Sequence, residues 1–229
     1  MLPTVLIAAL LALLLWCLAL RCRRGHPLWR QLQAYRYAHR GLHGPGKPEN
    51  SLAAFRAAAA AGYGAELDVH LSADGQLVVM HDSATRRMCG TDHIIERSAW
   101  DMLHPLTLDG TEEHIPLLED VLALLHERSL AVNIELKNSR AAFPGLEEKT
   151  IAAVEAAGMK QAAIYSSFNH YSLLKVRQLA PDAFCGLLYD AMLYQPWDYA
   201  KRLGVQALHP HFSEPTFVPY EVESAHRLG

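Results

Sequence analysis

Short apolar runs alternate with helix-forming stretches along most of this chain, and four of the runs end in residues able to do chemistry. His39-Arg40-Gly41, Glu66-Leu67-Asp68, His81-Asp82 and Glu135-Leu136-Lys137 each read as falling at the end of a short β-strand. Strands alternating with helices predict a parallel sheet, and in a parallel α/β barrel the C-terminal strand ends converge on one mouth. Groups distant in sequence would then meet around one ligand.

The element pattern supports that reading. Tyr37 to Gly41 is the first predicted strand. Asn50-Ser51 can cap a helix over Leu52 to Ala61, which Gly62 ends. Gly64 to Leu71 and Gln76 to His81 are the second and third strands, joined through the turn signal Asp74-Gly75. Leu118 to Glu127 is a helix with Glu119 and Asp120 in its first turn. Leu130 to Leu136 is almost continuously apolar, as a strand buried on both faces requires. The alternation continues through Leu146 to Ala157, Ala162 to Phe168, His170 to Leu179, Ala183 to Tyr189, Trp197 to Leu203 and Val205 to His209. Seven strands are thus expected in the barrel series.

A chain of 229 residues with 51% hydrophobic and 20% charged residues suits one large core and not two. Its formal net charge of -3 gives no basic field for neutralising nucleic-acid phosphates, which excludes nucleic acid as a partner. Cys17, Cys22, Cys89 and Cys185 have no metal-knuckle spacing and suggest no disulfide framework. Leu2 to Leu20 carries no charge and is about long enough to span a ~30 Å hydrocarbon core. Arg21, Arg23 and Arg24 follow it, and no small-residue cleavage site does, so the segment reads as a retained anchor. The organisation expected is therefore a transmembrane anchor with a basic flank over 1–24, a linker over 25–34 and a barrel domain over 35–229. The arginines place that domain on the cytoplasmic face of the membrane, as a single-pass protein.

Side chains two apart on a strand share a face, so Glu66 and Asp68 present two carboxylates together, with Glu135 available from another strand. Three hard oxygen donors favour magnesium, calcium or manganese over zinc. Alternatively, the two acids are simply the solvated face of an exposed strand. Imidazoles as a class titrate near neutrality, so of His39 and His81 one can take a proton from an attacking hydroxyl while the other gives one to a leaving alkoxide. His43, His93, His104, His114 and His126 read instead as surface or packing residues. Arg40 and Lys137 can hold phosphate oxygens, or serve as ion-pair partners of Glu66 or Glu135. Together these residues point to metal-assisted phosphodiester chemistry.

With these motifs the chain resembles the glycerophosphodiester phosphodiesterase family, in particular its membrane-anchored bacterial type. The resemblance rests on His39-Arg40-Gly41, Pro48-Glu49-Asn50-Ser51, Glu66-Leu67-Asp68-Val69, Asp74-Gly75, Val78 to Asp82, Ile115-Pro116-Leu117 and Ile134 to Lys137, in that order, and covers about residues 36 to 217. It implies an α/β fold of the TIM (β/α)8 type and a phosphoric diester hydrolase. Such an enzyme hydrolyses glycerophosphodiesters of the glycerophosphocholine or glycerophosphoethanolamine kind to an alcohol and glycerol 3-phosphate. It further implies His39 and His81 as the acid/base pair and Glu66, Asp68 and Glu135 as ligands of one divalent cation, Mg2+ or Ca2+. Arg40 and Lys137 become phosphate contacts, and Glu49 takes a supporting role. The family continues into a further strand and helix where this chain ends at Gly229, so the expectation is a barrel without its last strand and helix, open between the seventh and first strands and encoded by a fragment or truncated product. Alternative readings are a lysophospholipase D-type activity on membrane lipids, including the sphingomyelinase type, and a metal-binding barrel without catalysis.

Overall fold

The computed structural model describes residues 2–19, 36–138, 143–211 and 220–227. The N-terminal apolar run forms helix α1, Leu2–Ala19. Its large side chains, such as Leu6, Leu10 and Leu14, are more than half exposed. Among the described residues no helix is long and apolar enough to cross a membrane. The 18 residues of α1 make about 27 Å of helix against a ~30 Å hydrocarbon core. The basic flank at Arg21, Arg23 and Arg24 and the linker 25–34 lie outside the described residues.

The remainder is built on one seven-stranded sheet. Its strands are β1 Tyr37–Ala38, β2 Gly64–Leu71, β3 Leu77–Val79, β4 Val132–Leu136, β5 Ala163–Ser167, β6 Phe184–Tyr189 and β7 Ala207–Pro210. Six of them lie parallel in the order β1-β2-β4-β5-β6-β7. Between them run the crossover helices α2 Leu52–Ala60, α5 Leu118–Glu127, α6 Leu146–Ala156, α7 His170–Leu179 and α8 Pro196–Leu203, and a last helix, α9, covers Tyr220–Arg227. Among the described residues β1 and β7 are the sheet's two edges, so the sheet is an open half-barrel.

The third strand departs from the expected series. β3 pairs antiparallel with β2, setting Val69 opposite Val79 and Leu71 opposite Leu77. The connection is far too short for the dozen or more residues of a parallel crossover, so only a hairpin is available to it. Ser72 Oγ accepts the Gln76 N–H at 2.8 Å and Gly75 N–H donates to Ser72 O, which closes that hairpin. The parallel series therefore counts six strands and not seven. Because β2 runs on to Leu71 to meet β3, Glu66 and Asp68 lie mid-strand and not at a strand end.

Packing follows from apolar spacing. In α5, Leu118, Val121, Leu122 and Leu125 recur at i, i+3, i+4 and i+7 and are all fully buried against the sheet. Each such leucine contributes about 1.5–3 kcal/mol through removal of apolar surface from water, and Leu122→Ala would cost ~2–5 kcal/mol. β2, β4 and β5 supply Leu67, Val69, Ile134 and Tyr165 to the same core. Residues 77–117, whose part from Cys89 to Thr111 reads as loop in sequence, instead hold a small core of their own around Val78, Met80, Ile95, Leu103 and Ile115. The helices there, α3 Arg86–Cys89 and α4 Trp100–Leu103, are four residues each and too short to show a period.

Candidate metal and acid–base site

Register brings the acids together. Asp68 on β2 stands opposite Glu135 on β4, and Glu66 precedes Asp68 by two residues on the same face. One ligand oxygen from each of the three lies within 4.8 Å of the others, and among the described residues no other group of three acids, histidines or cysteines converges in this way. Burial is nearly complete for all three. It pushes the Glu66 carboxyl up to about 8, with the Asp68 charge adding to the effect. Glu135 is raised by the same two causes in the same order.

Asp68 is the pivot. Its Oδ2 accepts from Asn50 Nδ2 at 2.8 Å and lies 3.6 Å from Arg40 Nε. Its buried Oδ1 makes no hydrogen bond, although Lys137 Nζ stands 3.4 Å away. An under-satisfied carboxylate oxygen between two further carboxylates is a donor set that fits a hard divalent cation. Lys137 also donates to Glu135 Oε1 at 2.8 Å. Burial opposes its charge, but Asp68 and Glu135 outweigh burial and hold the ammonium above its usual range.

The segment after β1 forms the next wall. Arg40 and Gly41 both adopt positive φ, 55° and 79°, which turns the chain so that the Arg40 N–H donates to Glu66 Oε2 at 2.9 Å. A Cβ at Gly41 would sit 2.8 Å from the backbone of Ala54, so helix α2 admits only glycine there. Ser51 caps α2 by accepting the Ala54 N–H. Arg40 Nη1 donates to Glu49 Oε1 at 3.1 Å, and His39 Nε2 lies 3.9 Å from Glu66 Oε2 with its ring largely exposed. Partial burial, then the Arg40 charge, holds His39 below the usual histidine range.

His81 arrives by an unexpected route. The hairpin returns β3 to the level of the acids, with Met80 N–H donating to Asp68 O at 3.1 Å, so the following residue reaches the same mouth. Its Nδ1 is 2.7 Å from Asp82 Oδ1. Asp82 in turn accepts from Arg87 Nε at 2.6 Å, and Arg87 Nη2 donates to Glu49 Oε1 at 2.5 Å. All eight residues singled out from sequence, His39, Arg40, Glu49, Glu66, Asp68, His81, Glu135 and Lys137, thus belong to one connected cluster. Asn50, Asp82 and Arg87 belong to it as well. The Asn50-Ser51 cap expected from sequence is present through Ser51, but nothing in the sequence signals the bond of Asn50 to Asp68 or the contacts of Arg87.

The glycerophosphoryl diester phosphodiesterase family model matches residues 39–229. A glycerophosphodiester phosphodiesterase from Caldanaerobacter subterraneus is 37% identical over 199 residues, covering 84% of this chain and 81% of that protein. One from Bacillus altitudinis is 36% identical over 183 residues, covering 76% and 74%. Among solved structures, an Oleispira antarctica phosphodiesterase in complex with the product sn-glycerol-3-phosphate is similar at a TM-score of 0.72 and 28% identity, covering 86% of this chain and 83% of that one. A Parabacteroides distasonis glycerophosphodiester phosphodiesterase gives 0.74 at 27% identity, covering 84% and 79%. The fold is accordingly TIM-barrel-like, and the chain belongs to the glycerophosphoryl diester phosphodiesterase family as an enzyme of the phosphoric diester hydrolase class.

Proposed function

We propose that this enzyme hydrolyses glycerophosphodiesters of the glycerophosphocholine or glycerophosphoethanolamine type to an alcohol and glycerol 3-phosphate, with one Mg2+ or Ca2+ held by Glu66, Asp68 and Glu135. The observation that carries the reading is the convergence of those three carboxylates within 4.8 Å beside His39 and Lys137. A cation bound there supplies Lewis-acid neutralisation of the phosphate and a lowered pKa for a bound hydroxyl. His39, whose neutral form is favoured by partial burial and then by the Arg40 charge, takes the proton of the attacking hydroxyl. His81, with Nδ1 engaged by Asp82, uses Nε2 to give a proton to the leaving alkoxide. Lys137 and Arg40 exchange part of their hold on Asp68 for phosphate oxygens. The nucleophile is either the neighbouring glycerol hydroxyl, giving a cyclic phosphate that water opens, or water itself; the same residues serve both.

The membrane context belongs to the same proposal. An uncharged helix with leucines exposed on all sides is more stable against lipid than in water, so α1 holds the enzyme at a membrane surface. A second reading, lysophospholipase D-type action on membrane lipids, is favoured by one observation. Phe168, Tyr171, Met192 and Tyr194, all in segments that follow β5 and β6, are exposed on the mouth side.

The test is release of glycerol 3-phosphate from glycerophosphocholine by the full chain in detergent, with and without chelator, beside Glu66→Ala and with lysophosphatidylcholine as the competing substrate. Chelator-sensitive release abolished in the variant supports the proposal. Preference for the lysolipid moves the assignment to the second reading. Silence from a folded, cation-binding protein would overturn catalysis and leave a binding barrel.

A further inference from the structure

The residue that connects the two sides of the mouth is Arg87, on the short helix α3. Its Nε and Nη2 reach Asp82 Oδ2 and Oδ1 at 2.6 and 3.2 Å, the two-toothed arrangement that fixes both partners in orientation. The same Nη2 donates to Glu49 Oε1 at 2.5 Å, and that oxygen also accepts from Arg40. Asp82 Oδ1 faces His81 Nδ1 at 2.7 Å. One guanidinium therefore joins the segment after β3, which carries His81, to the segment after β1, which carries His39 and Arg40.

We propose that Arg87 is a positioning residue for the hydrolysis: it locks Asp82 so that His81 points its Nδ1–H at Asp82 and its Nε2 at the substrate, where the doubly protonated ring gives its Nε2 proton to the leaving alkoxide and is left as the Nδ1–H tautomer. This rests on the acid/base role proposed above for His81. The argument is geometric. A lone aspartate on a mobile segment can turn either oxygen, or neither, toward an imidazole. Clamped at both oxygens by Arg87, Asp82 has one orientation left, and in it Oδ1 faces His81 Nδ1 and can accept from that ring only an Nδ1–H. A carboxylate that selects an imidazole tautomer contributes through orientation and not through contact with substrate. A lysine, a point charge with no planar fork, cannot span Asp82 and Glu49 in the same way. An ordinary rim ion pair would contribute little, because half of the Arg87 side chain is exposed to water.

The two roles separate in Arg87→Ala and Arg87→Lys, measured in the full chain with glycerophosphocholine and Mg2+. Positioning predicts a kcat loss of roughly 10- to 30-fold for Arg87→Ala, with KM within about twofold and only slight recovery in Arg87→Lys. A KM rise at unchanged kcat would overturn the proposal in favour of a direct phosphate contact, and kcat within about twofold of the parent would overturn it in favour of a structural ion pair. A second readout needs no turnover. In 15N-histidine NMR of the unmodified chain, the neutral form of His81 should be the Nδ1-protonated tautomer, and in Arg87→Ala the neutral form should show the two tautomers mixed. An unchanged tautomer would overturn positioning by Arg87. The mixed tautomer in a protein without hydrolytic activity would uphold the clamp while overturning the proposed function.

Discussion

The floor and the rim of the mouth contain the same kind of residue in opposite states. On the floor, Glu66 and Glu135 are buried beside Asp68 and both are pushed toward the protonated form, although Arg40 acts on Glu66 and Lys137 on Glu135 in the other direction. At the rim, Arg87 and then His81 draw Asp82 down to about 2 against the opposing effect of burial. Glu49, whose burial works the other way, is likewise lowered by Arg87 and Arg40. Strands hold the floor and connecting segments hold the rim. The contrast shows which acids need a cation from solution. The rim acids pair closely with arginines of the chain itself, whereas three carboxylates share the floor with Lys137 and with Arg40 at 3.6 Å from Asp68. Among the described residues only the floor brings three acids together as a donor set compatible with a divalent metal.

The comparison is broken most severely at the floor. Asp68→Ala should lower kcat/KM for glycerophosphocholine by about 1,000-fold or more while the fold, read by circular dichroism, persists. Retained activity would move the metal site elsewhere. Next in size is the effect of removing the cation. The folded-state pKa of Glu66 lies above its unfolded value, so its contribution to stability is complete below about pH 4.5 and is lost as pH rises through about 8. With chelator, Tm should fall between pH 5 and 8, and added Mg2+ should raise it more at pH 8 than at pH 5. A flat profile would mean the floor acids are neutralised in some other way.

At the rim the sign reverses. Asp82 has a depressed pKa, so its contribution is present above about pH 3.8 and lost as pH falls toward 2. The acid-unfolding midpoint should therefore move to higher pH in Asp82→Asn, and kcat should fall by about 10- to 100-fold through loss of the His81 acceptor. Smallest is Asn50→Ala. It removes a hydrogen bond to the charged Asp68 and places alanine at φ 56°, with an expected stability loss of about 1.5–3 kcal/mol in chemical denaturation. Loss of Mg2+ affinity in Asn50→Ala without loss of stability would recast Asn50 as part of the floor alone.

Much of this organisation is legible in the chain. β2, α5 and α7 have the bounds expected from sequence, because each combines a clear apolar pattern with a polar or capping boundary. The floor acids are legible for the same reason, as period-two spacing on one strand and a lysine two residues past Glu135 restrict them to one face. The rim is not. Asn50 reads only as part of the Asn50-Ser51 cap and Arg87 carries no signal, since a four-residue helix has no period and a contact across 38 residues leaves no local pattern.

By itself, then, the sequence determined the strand–helix alternation, the two carboxylates sharing a face on β2 and the uncharged N-terminal helix. These depend on neighbours within a few residues, where backbone geometry and apolar spacing leave few choices. Only the tertiary structure decided that β3 folds back on β2 and brings His81 down to the acids, and that Arg87 closes the rim. It also decided that Glu135 sits opposite Asp68. Those outcomes depend on pairings between distant segments, which are selected by the packing of the whole sheet.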